Sequence, residues 1–195
     1  MLELWVAPIL TPNAKVLEVG CAAGDFSHSL AERGINVWAV DRSPRMIAKG
    51  RKTPSAVQFE EANATSLPFP DQYFDVVVAA SLINIVASPI TVLNEMRRVC
   101  RKGGMISVLT LAHAFSNADA KRYRDERRLT GLSAAAFMIW HRLGRKMEAK
   151  VLHDYFKECG MTNISSQYFL DGMVVAIYGQ VSSTQAEATT VQKFE

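Results

Sequence analysis

Lys15-Val16-Leu17-Glu18-Val19-Gly20-Cys21-Ala22-Ala23-Gly24 is the stretch whose reading decides the fold. Its first five residues are a short β-branched run that ends at glycine, the pattern of a buried strand. Gly20 opens a glycine-bearing turn. Gly24 to Arg33 then reads as a helix, with Phe26 and Leu30 on its apolar side and Gly34 as its stop. A second strand, Ile35 to Val40, follows and ends on Asp41. Strand, glycine turn, helix and strand in immediate succession is the opening of a parallel α/β sheet.

The same rhythm continues downstream. Ser43-Pro44 is a helix start, with the hydroxyl as cap and proline at the first helical position. Val57-Gln58-Phe59 is a third strand, Pro68, Pro70 and Asp71 mark a loop, and Phe74 to Ala79 is a fourth strand. Ser88-Pro89 repeats the cap signature. Its helix turns Val92, Leu93, Met96 and Val99 inward and Arg97, Arg98 and Arg101 outward. Gly103-Gly104 is expected to end that helix, with Met105 to Leu111 as the fifth strand. From Ser116 to about Lys150 the strand pattern is replaced by two helix-like stretches, divided at Gly131, with Ser133 as cap of the second. Another helix, Val151 to Glu158, precedes two strands, Asn163 to Leu170 and Met173 to Gln180. Asp171-Gly172 between them is a hairpin signal, so the last pair is antiparallel. The fold class expected is α/β: a Rossmann-like, doubly wound, seven-stranded and mostly parallel sheet with an antiparallel last strand. Residues 1–180 would form one domain with a helical insertion at about 113–150, and the Ser/Thr/Gln/Ala-rich tail 181–195 would be disordered.

Composition narrows the class. The 195 residues suffice for one core. An apolar share of 49% with 21% charged residues argues against a disordered chain, a fibre or a disulfide scaffold. A net charge of +3, from 22 Lys+Arg against 19 Asp+Glu, is not the footprint of a dedicated nucleic-acid binder. Cys21, Cys100 and Cys159 are far apart and form no Cys-x-x-Cys pair, which fits reduced thiols in a cytoplasmic protein and supplies no metal site. The start lacks a basic n-region and runs into Pro8 and Pro12, so it does not read as a signal peptide. The longest uncharged run, Val76 to Asn94, contains Ser81, Asn84, Ser88, Pro89 and Thr91; strand, loop and helix start explain it better than a membrane span.

In an open parallel sheet the carboxyl edge is where ligands bind, and a glycine turn there lets a ligand approach the backbone. Asp41 lies 21 residues after Gly20, and an acid at that point can accept from two ribose hydroxyls. An adenosine-containing ligand across the strand ends follows. The dinucleotide fingerprint Gly-x-Gly-x-x-Gly, laid on Gly20, would need glycines where this chain has Ala22 and Asp25. A carboxylate at Asp25 would also repel a pyrophosphate, whereas Glu18 and Asp25 suit a ligand carrying positive charge. Read singly, the turn is often only a turn, Asp41 could cap the next helix, and Cys21 is a small loop filler rather than a nucleophile.

Taken together, five segments in order resemble the class I S-adenosylmethionine-dependent methyltransferases, in particular the small-molecule branch that includes the ubiquinone/menaquinone-biosynthesis enzymes. Val16 to Gly24 is similar to the family's first motif, and Asp41-Arg42-Ser43-Pro44-Arg45-Met46 to its acidic second motif. Asn63 to Asp71 is similar to its adenine-contacting loop, Phe74-Asp75-Val76-Val77 to the lead of its fourth strand, and Arg97 to Gly104 to the end of its fourth helix. The terminal antiparallel hairpin also matches the family. The resemblance implies that Gly20, Cys21, Ala22 and Gly24 line the methionine part of the cofactor, with Glu18 near its ammonium group. It implies that Asp41 holds the ribose with Arg42 beside it, that Met46 packs by the ribose or adenine, and that Asn63 and Ala64 meet the adenine edge. Ser81 and Leu82 would border the sulfonium. Three departures stand out: Ala22 replaces the central glycine, Asn63 replaces an aspartate, and 14 residues precede the first strand where the family often has helices covering the site.

The acceptor is less legible. After the fourth strand the chain reads Ala80-Ser81-Leu82-Ile83-Asn84, not the Asn-Pro-Pro-Tyr of adenine amino methylation, and no Pro-Cys pair supports cytosine C5 chemistry. Phe137, Trp140, Met147 and Val151 fall near one helical face, with Met147 and Val151 read as packing on the sheet. Tyr123, Trp140, His141 and, more weakly, Tyr168 are candidates for an acceptor pocket. His113, just past the fifth strand, is the candidate base if one is needed. From Asp119 to Lys150 nine basic residues face four acidic ones, so this segment is +5 and the remainder −2. That is a solvated helix face with pairs such as Lys121–Asp125, or a surface that attracts an anionic acceptor. The reading is an enzyme that transfers a methyl group directly from S-adenosylmethionine to a small-molecule acceptor, giving S-adenosylhomocysteine. The alternatives are an RNA-directed methyltransferase using the basic insertion, or a non-catalytic cofactor-binding module. A homodimer is compatible with the sequence.

Overall fold

The computed structural model describes residues 2–183, with the side chains of residues 2, 3, 136, 140 and 143 outside the description. A short helix α1 (Leu2–Val6) and a 3-10 turn (Ala7–Ile9) precede β1 (Lys15–Val19). There follow α2 (Asp25–Ala31), β2 (Asn36–Asp41), α3 (Pro44–Gly50), β3 (Gln58–Glu61), β4 (Phe74–Ala80) and α4 (Pro89–Val99). The second half holds β5 (Cys100–Ala112), α5 (Asn117–Glu126), α6 (Gly131–Leu143), β6 (Lys146–Met147), α7 (Ala149–Glu158), β7 (Met161–Phe169) and β8 (Val174–Val181).

The main sheet has the order β3-β2-β1-β4-β5-β8-β7. All pairings are parallel except those of β8, which runs antiparallel to both β5 and β7. The seven-stranded Rossmann-like sheet is therefore present, with an eighth strand added: β6 pairs parallel with the end of β5, Leu111 opposite Lys146 and Ala112 opposite Met147. Leu111 also pairs with Val174 of β8 on its other side, so β6 occupies the β4 side of β5, just past the point where β4 stops. This two-residue strand carries the end of the insertion to the carboxyl edge of the sheet.

Both faces are covered, as a parallel sheet requires. On one face α4 and α7 bury Val92, Leu93, Met96, Leu152 and Phe156 against β4, β5 and β8. On the other, α1, α2, α5 and α6 pack Trp5, Phe26, Leu30, Ala120 and Tyr123 against Val16, Val78 and Leu109. Trp5 is fully buried; its Nε1–H donates to Ser107 Oγ at 2.7 Å, and Tyr178 donates to the Trp5 carbonyl at 2.8 Å.

Several local expectations are corrected. Ser43 does cap α3, accepting from the Met46 amide, but Ser88 makes no side-chain cap bond on α4. The fourth helix ends at Val99 rather than at the glycine pair. The chain enters β5 directly at Cys100, and Gly103, at φ +73°, sits in a bulge where the register jumps from Phe74–Cys100 to Val76–Met105. Ser133 lies inside α6, which already begins at Gly131. Phe137, Met147 and Val151 do not share a helix face, because Phe137 is on α6, Met147 on β6 and Val151 on α7, where it is exposed. Asp125 pairs with Arg124, not Lys121. Val181, placed in the tail from the sequence, instead ends β8; the rest of that tail from residue 184 on lies outside the described residues. Among the described residues no helix is long and apolar enough to cross a membrane.

Candidate functional site

The chain order reverses between β1 and β4, and at that switch point a cavity of about 710 Å³ opens beyond the carboxyl ends of β1, β2 and β4. The turn after β1 forms one wall. Gly20 takes φ +77°, a conformation that L side chains rarely adopt, and a Cβ there would also press on the Leu82 side chain at 3.0 Å. The amides of Gly20 and Cys21 both donate to the Val40 carbonyl, at 2.8 and 3.0 Å, which ties this turn to β2.

Asp41, at the end of β2, is the acid of the wall. Its Oδ2 accepts from the Ala22 amide at 3.0 Å and its Oδ1 from the Ser43 amide at 2.9 Å. Each oxygen thus keeps a lone pair for a further donor, the geometry that suits two neighbouring hydroxyls. The opposite wall is the loop from Ala62 to Thr65. Asn63 Oδ1 there accepts from both the amide and the hydroxyl of Thr65, at 3.0 Å each. Those two bonds fill the oxygen, so Asn63 has its amide N–H groups left to offer a ligand.

Arg98 fixes the base of this loop. The sequence turns it outward, but its guanidinium bends back to the carbonyls of Phe69 and Leu67 and to Asp71 and Glu95, at 2.8–2.9 Å. Glu95 in turn accepts from the Leu67 amide at 2.8 Å. The guanidinium beside it holds the Glu95 carboxyl below its ordinary range.

Of the residues singled out in the sequence, Gly20, Ala22, Asp41, Arg42, Asn63, Ala64, Ser81 and Leu82 line the cavity. Ser81 takes φ +53°, and its amide donates to Leu109 on β5 at 2.7 Å. Glu18, Cys21, Gly24 and Met46 do not line the cavity. Glu18 is buried and accepts from the Ser27 hydroxyl; burial pushes its carboxyl up to about 7, with Asp25 and Asp41 adding to the effect. Cys21 is buried beside Ala39 and Ile47, and burial raises its thiol well above the ordinary range, which disfavours the thiolate. Gly24 is the N-cap residue of α2.

The acceptor candidates are elsewhere. Tyr123 stacks on Phe137 at 5.5 Å and meets Phe115 edge-on. His141 is fully buried with Nε2 at 3.2 Å from the Phe115 carbonyl. Trp140 falls on α6, but its side chain lies outside the described residues. Tyr168 is exposed on β7, at the sheet edge. His113 is exposed, with Nδ1 4.0 Å from Glu148 Oε1. None of the four described candidates lines the cavity. Sequence reasoning missed the segment Ile85-Val86-Ala87-Ser88 and Val92, which close the side next to Leu82. The available signal was the uncharged, apolar continuation of the chain beyond the end of β4.

An apolar slot with a hydroxyl-accepting acid at one end and a glycine turn beside it suits a nucleoside. The residues present fit S-adenosylmethionine: the apolar walls for the adenine, Asp41 for the ribose diol, and the Gly20 turn for close approach of the methionine part.

Comparison with known proteins agrees with this fold. A family model described as a methyltransferase domain matches residues 17–108. A phosphatidylethanolamine N-methyltransferase of Cereibacter sphaeroides is 38% identical over 103 residues, 50% of this chain and 50% of that one. A ubiquinone/menaquinone biosynthesis C-methyltransferase of Burkholderia mallei is 35% identical over 109 residues, 50% of this chain and 43% of that one. The chain spans about half the length of the curated relatives it matches. The crystal structure of an S-adenosylmethionine-dependent methyltransferase from Thermotoga maritima superposes with a TM-score of 0.68 over 92% of this chain and 88% of that one, at 22% identity, and shares the fold. Motif order, sheet topology and the match over residues 17–108 together show a methyltransferase domain with the Rossmann-like fold of these enzymes.

Proposed function

We propose that the protein is a methyltransferase that binds S-adenosylmethionine in the 710 Å³ cavity and passes its methyl group to a small-molecule acceptor. The single observation that carries this reading is the Asp41 carboxylate, held by two backbone amides at the cavity wall with acceptor capacity to spare. Bound S-adenosylmethionine supplies an electrophilic methyl on a sulfonium centre, and S-adenosylhomocysteine is the product.

The chain's own part is to bind and orient. Asp41 holds the ribose hydroxyls, Asn63 and Ala64 flank the base, and Ser81 and Leu82 border the reacting end. Asp41 and Arg42 are the ionisable residues of the wall, which supports catalysis by alignment and exclusion of water rather than by a general base. The acceptor enters from the side of the insertion, 113–150. Asn84 Nδ2, two residues past Leu82, donates to the Arg145 carbonyl at 2.8 Å and joins that insertion to the cavity loop. Arg42 and the +5 charge of the insertion favour an acceptor with negative charge. Three free, buried cysteines support a reducing compartment, the cytoplasm.

The test is a side-by-side titration of S-adenosylmethionine, S-adenosylhomocysteine and NADH by thermal shift, followed by a labelled-methyl screen of phenols, quinones, amines, thiols and acids. Stabilisation by the first two and labelling of one acceptor class are expected. Tighter binding of NADH would overturn the cofactor, and binding without any transfer would make the protein a cofactor-binding module.

A further inference from the structure

Helix α6 is apolar on both sides. Its inner side is packed: Phe137 stacks on Tyr123, Met138 joins the cluster beneath, and His141 is fully buried. Its outer side carries Leu132, Ala135 and Ile139 at i, i+3 and i+7, with Leu132 90% and Ile139 57% exposed. A row of exposed apolar side chains marks a contact surface.

Charge says what covers it. Arg142 continues the same stripe at the next i+3 step, Arg128 precedes the helix and Arg145 follows it, and all three are exposed. None of the three forms an ion pair among the described residues, whereas Arg122, Arg124, Arg127 and Lys150 are engaged by Asp119, Asp125, Asp171 and Asp154. The missing cover is therefore apolar and anionic together. A second copy of this chain does not meet that description. Two-fold pairing of α6 sets Arg142 against Arg128 if the helices run antiparallel, or against its own equivalent if parallel, so like charges face each other in both.

The surface also adjoins the cavity. Arg145 accepts from Asn84, and the next residue, Ile85, is 59% exposed on the cavity wall. Ile139 lies within about two helical turns of Arg145. We infer that α6 docks the protein on an anionic lipid bilayer, with Leu132 and Ile139 in the acyl boundary and Arg128, Arg142 and Arg145 on the headgroups, so that the cavity mouth is held beside the membrane surface. Docking does not depend on the methyl-transfer reading, and its test is separate.

The test floats the full chain with vesicles of equimolar phosphatidylcholine and phosphatidylglycerol, and with phosphatidylcholine alone. The protein is expected to float with the anionic vesicles only, and less as salt rises. The R142Q/R145Q variant should lose about 30-fold in partition, and L132S/I139S about 10-fold or more. Both change exposed side chains and should keep the wild-type circular dichroism and melting temperature. Failure of the wild type to float, or flotation of L132S/I139S like the wild type, would overturn docking. So would a wild-type dimer in sedimentation velocity that L132S/I139S dissolves, since the stripe would then belong to a second copy.

Discussion

The Asp41 carboxylate accepts a hydrogen bond from the Ala22 amide at 3.0 Å, so the acid that ends β2 also clamps the turn that follows β1. On the proposed function, one side chain then carries both cofactor affinity and turn geometry. Asp41→Asn turns an N–H group toward either the Ala22 or the Ser43 amide and removes the charge. We expect S-adenosylhomocysteine affinity to fall about 10- to 100-fold, corresponding to about 1–3 kcal/mol, together with a lower melting temperature. Calorimetric titration checks it, and an unchanged affinity would take Asp41 out of the site.

Ala22 itself sits at φ +49°, where an L side chain costs about 1–2 kcal/mol and glycine does not. Glycine gives back about 0.5–1 kcal/mol in chain entropy. Ala22→Gly should therefore leave urea stability equal or higher by up to about 1 kcal/mol, while Ala22→Val lowers it. A clear loss of stability in Ala22→Gly would mean that the Ala22 methyl contributes packing that outweighs its backbone strain.

Glu18 makes stability fall with pH. Burial raises its carboxyl from 4.5 to about 7, against the Ser27 hydrogen bonds. The folded protein then holds the proton more tightly than the unfolded chain. Its contribution is fully present below about 4.5 and is lost as pH rises through about 7, by about 3 kcal/mol. Asp75, Glu95 and Asp119 are shifted downward and act the other way, so the comparison must be with Glu18→Gln. Urea midpoints of the two proteins should diverge across that window. Parallel curves would show that Glu18 is not held protonated.

The parts of the fold legible in the sequence are those fixed by local pattern. β1, β2 and β4 are apolar runs closed by Gly20, Asp41 and the loop at Ser81, and the site residues at those strand ends could be read with them. Residues held by distant contacts were not readable. Trp5 is anchored by Ser107 and Tyr178, 102 and 173 residues away, and five-residue α1 is too short to show a period. Arg98 looks outward on a helical wheel, yet its guanidinium turns to a loop about 30 residues upstream because that loop presents three acceptors at once. The wall at Ile85–Ser88 lacks any period, and only the path of the chain brings it to the cavity.

Arg98 therefore yields a prediction of its own. Its planar fork meets Phe69, Leu67, Asp71 and Glu95 together, which a lysine cannot do. Arg98→Lys should cost about 1–3 kcal/mol of stability and weaken S-adenosylhomocysteine binding by loosening the Ala62–Thr65 wall, without touching the ligand. Equal affinity in the two proteins would show that the wall keeps its shape without the clamp.

His113 separates alignment from base catalysis. Its side chain is 66% exposed, its amide donates to the Met147 carbonyl, and its imidazole is 4.0 Å from Glu148 and outside the cavity wall. If transfer depends on orientation alone, His113→Ala keeps kcat within about 2-fold, because a positioned general base is worth about 100-fold or more and no such group is lost. A fall of that size, with cofactor affinity unchanged, would instead make His113 the group that takes the acceptor's proton.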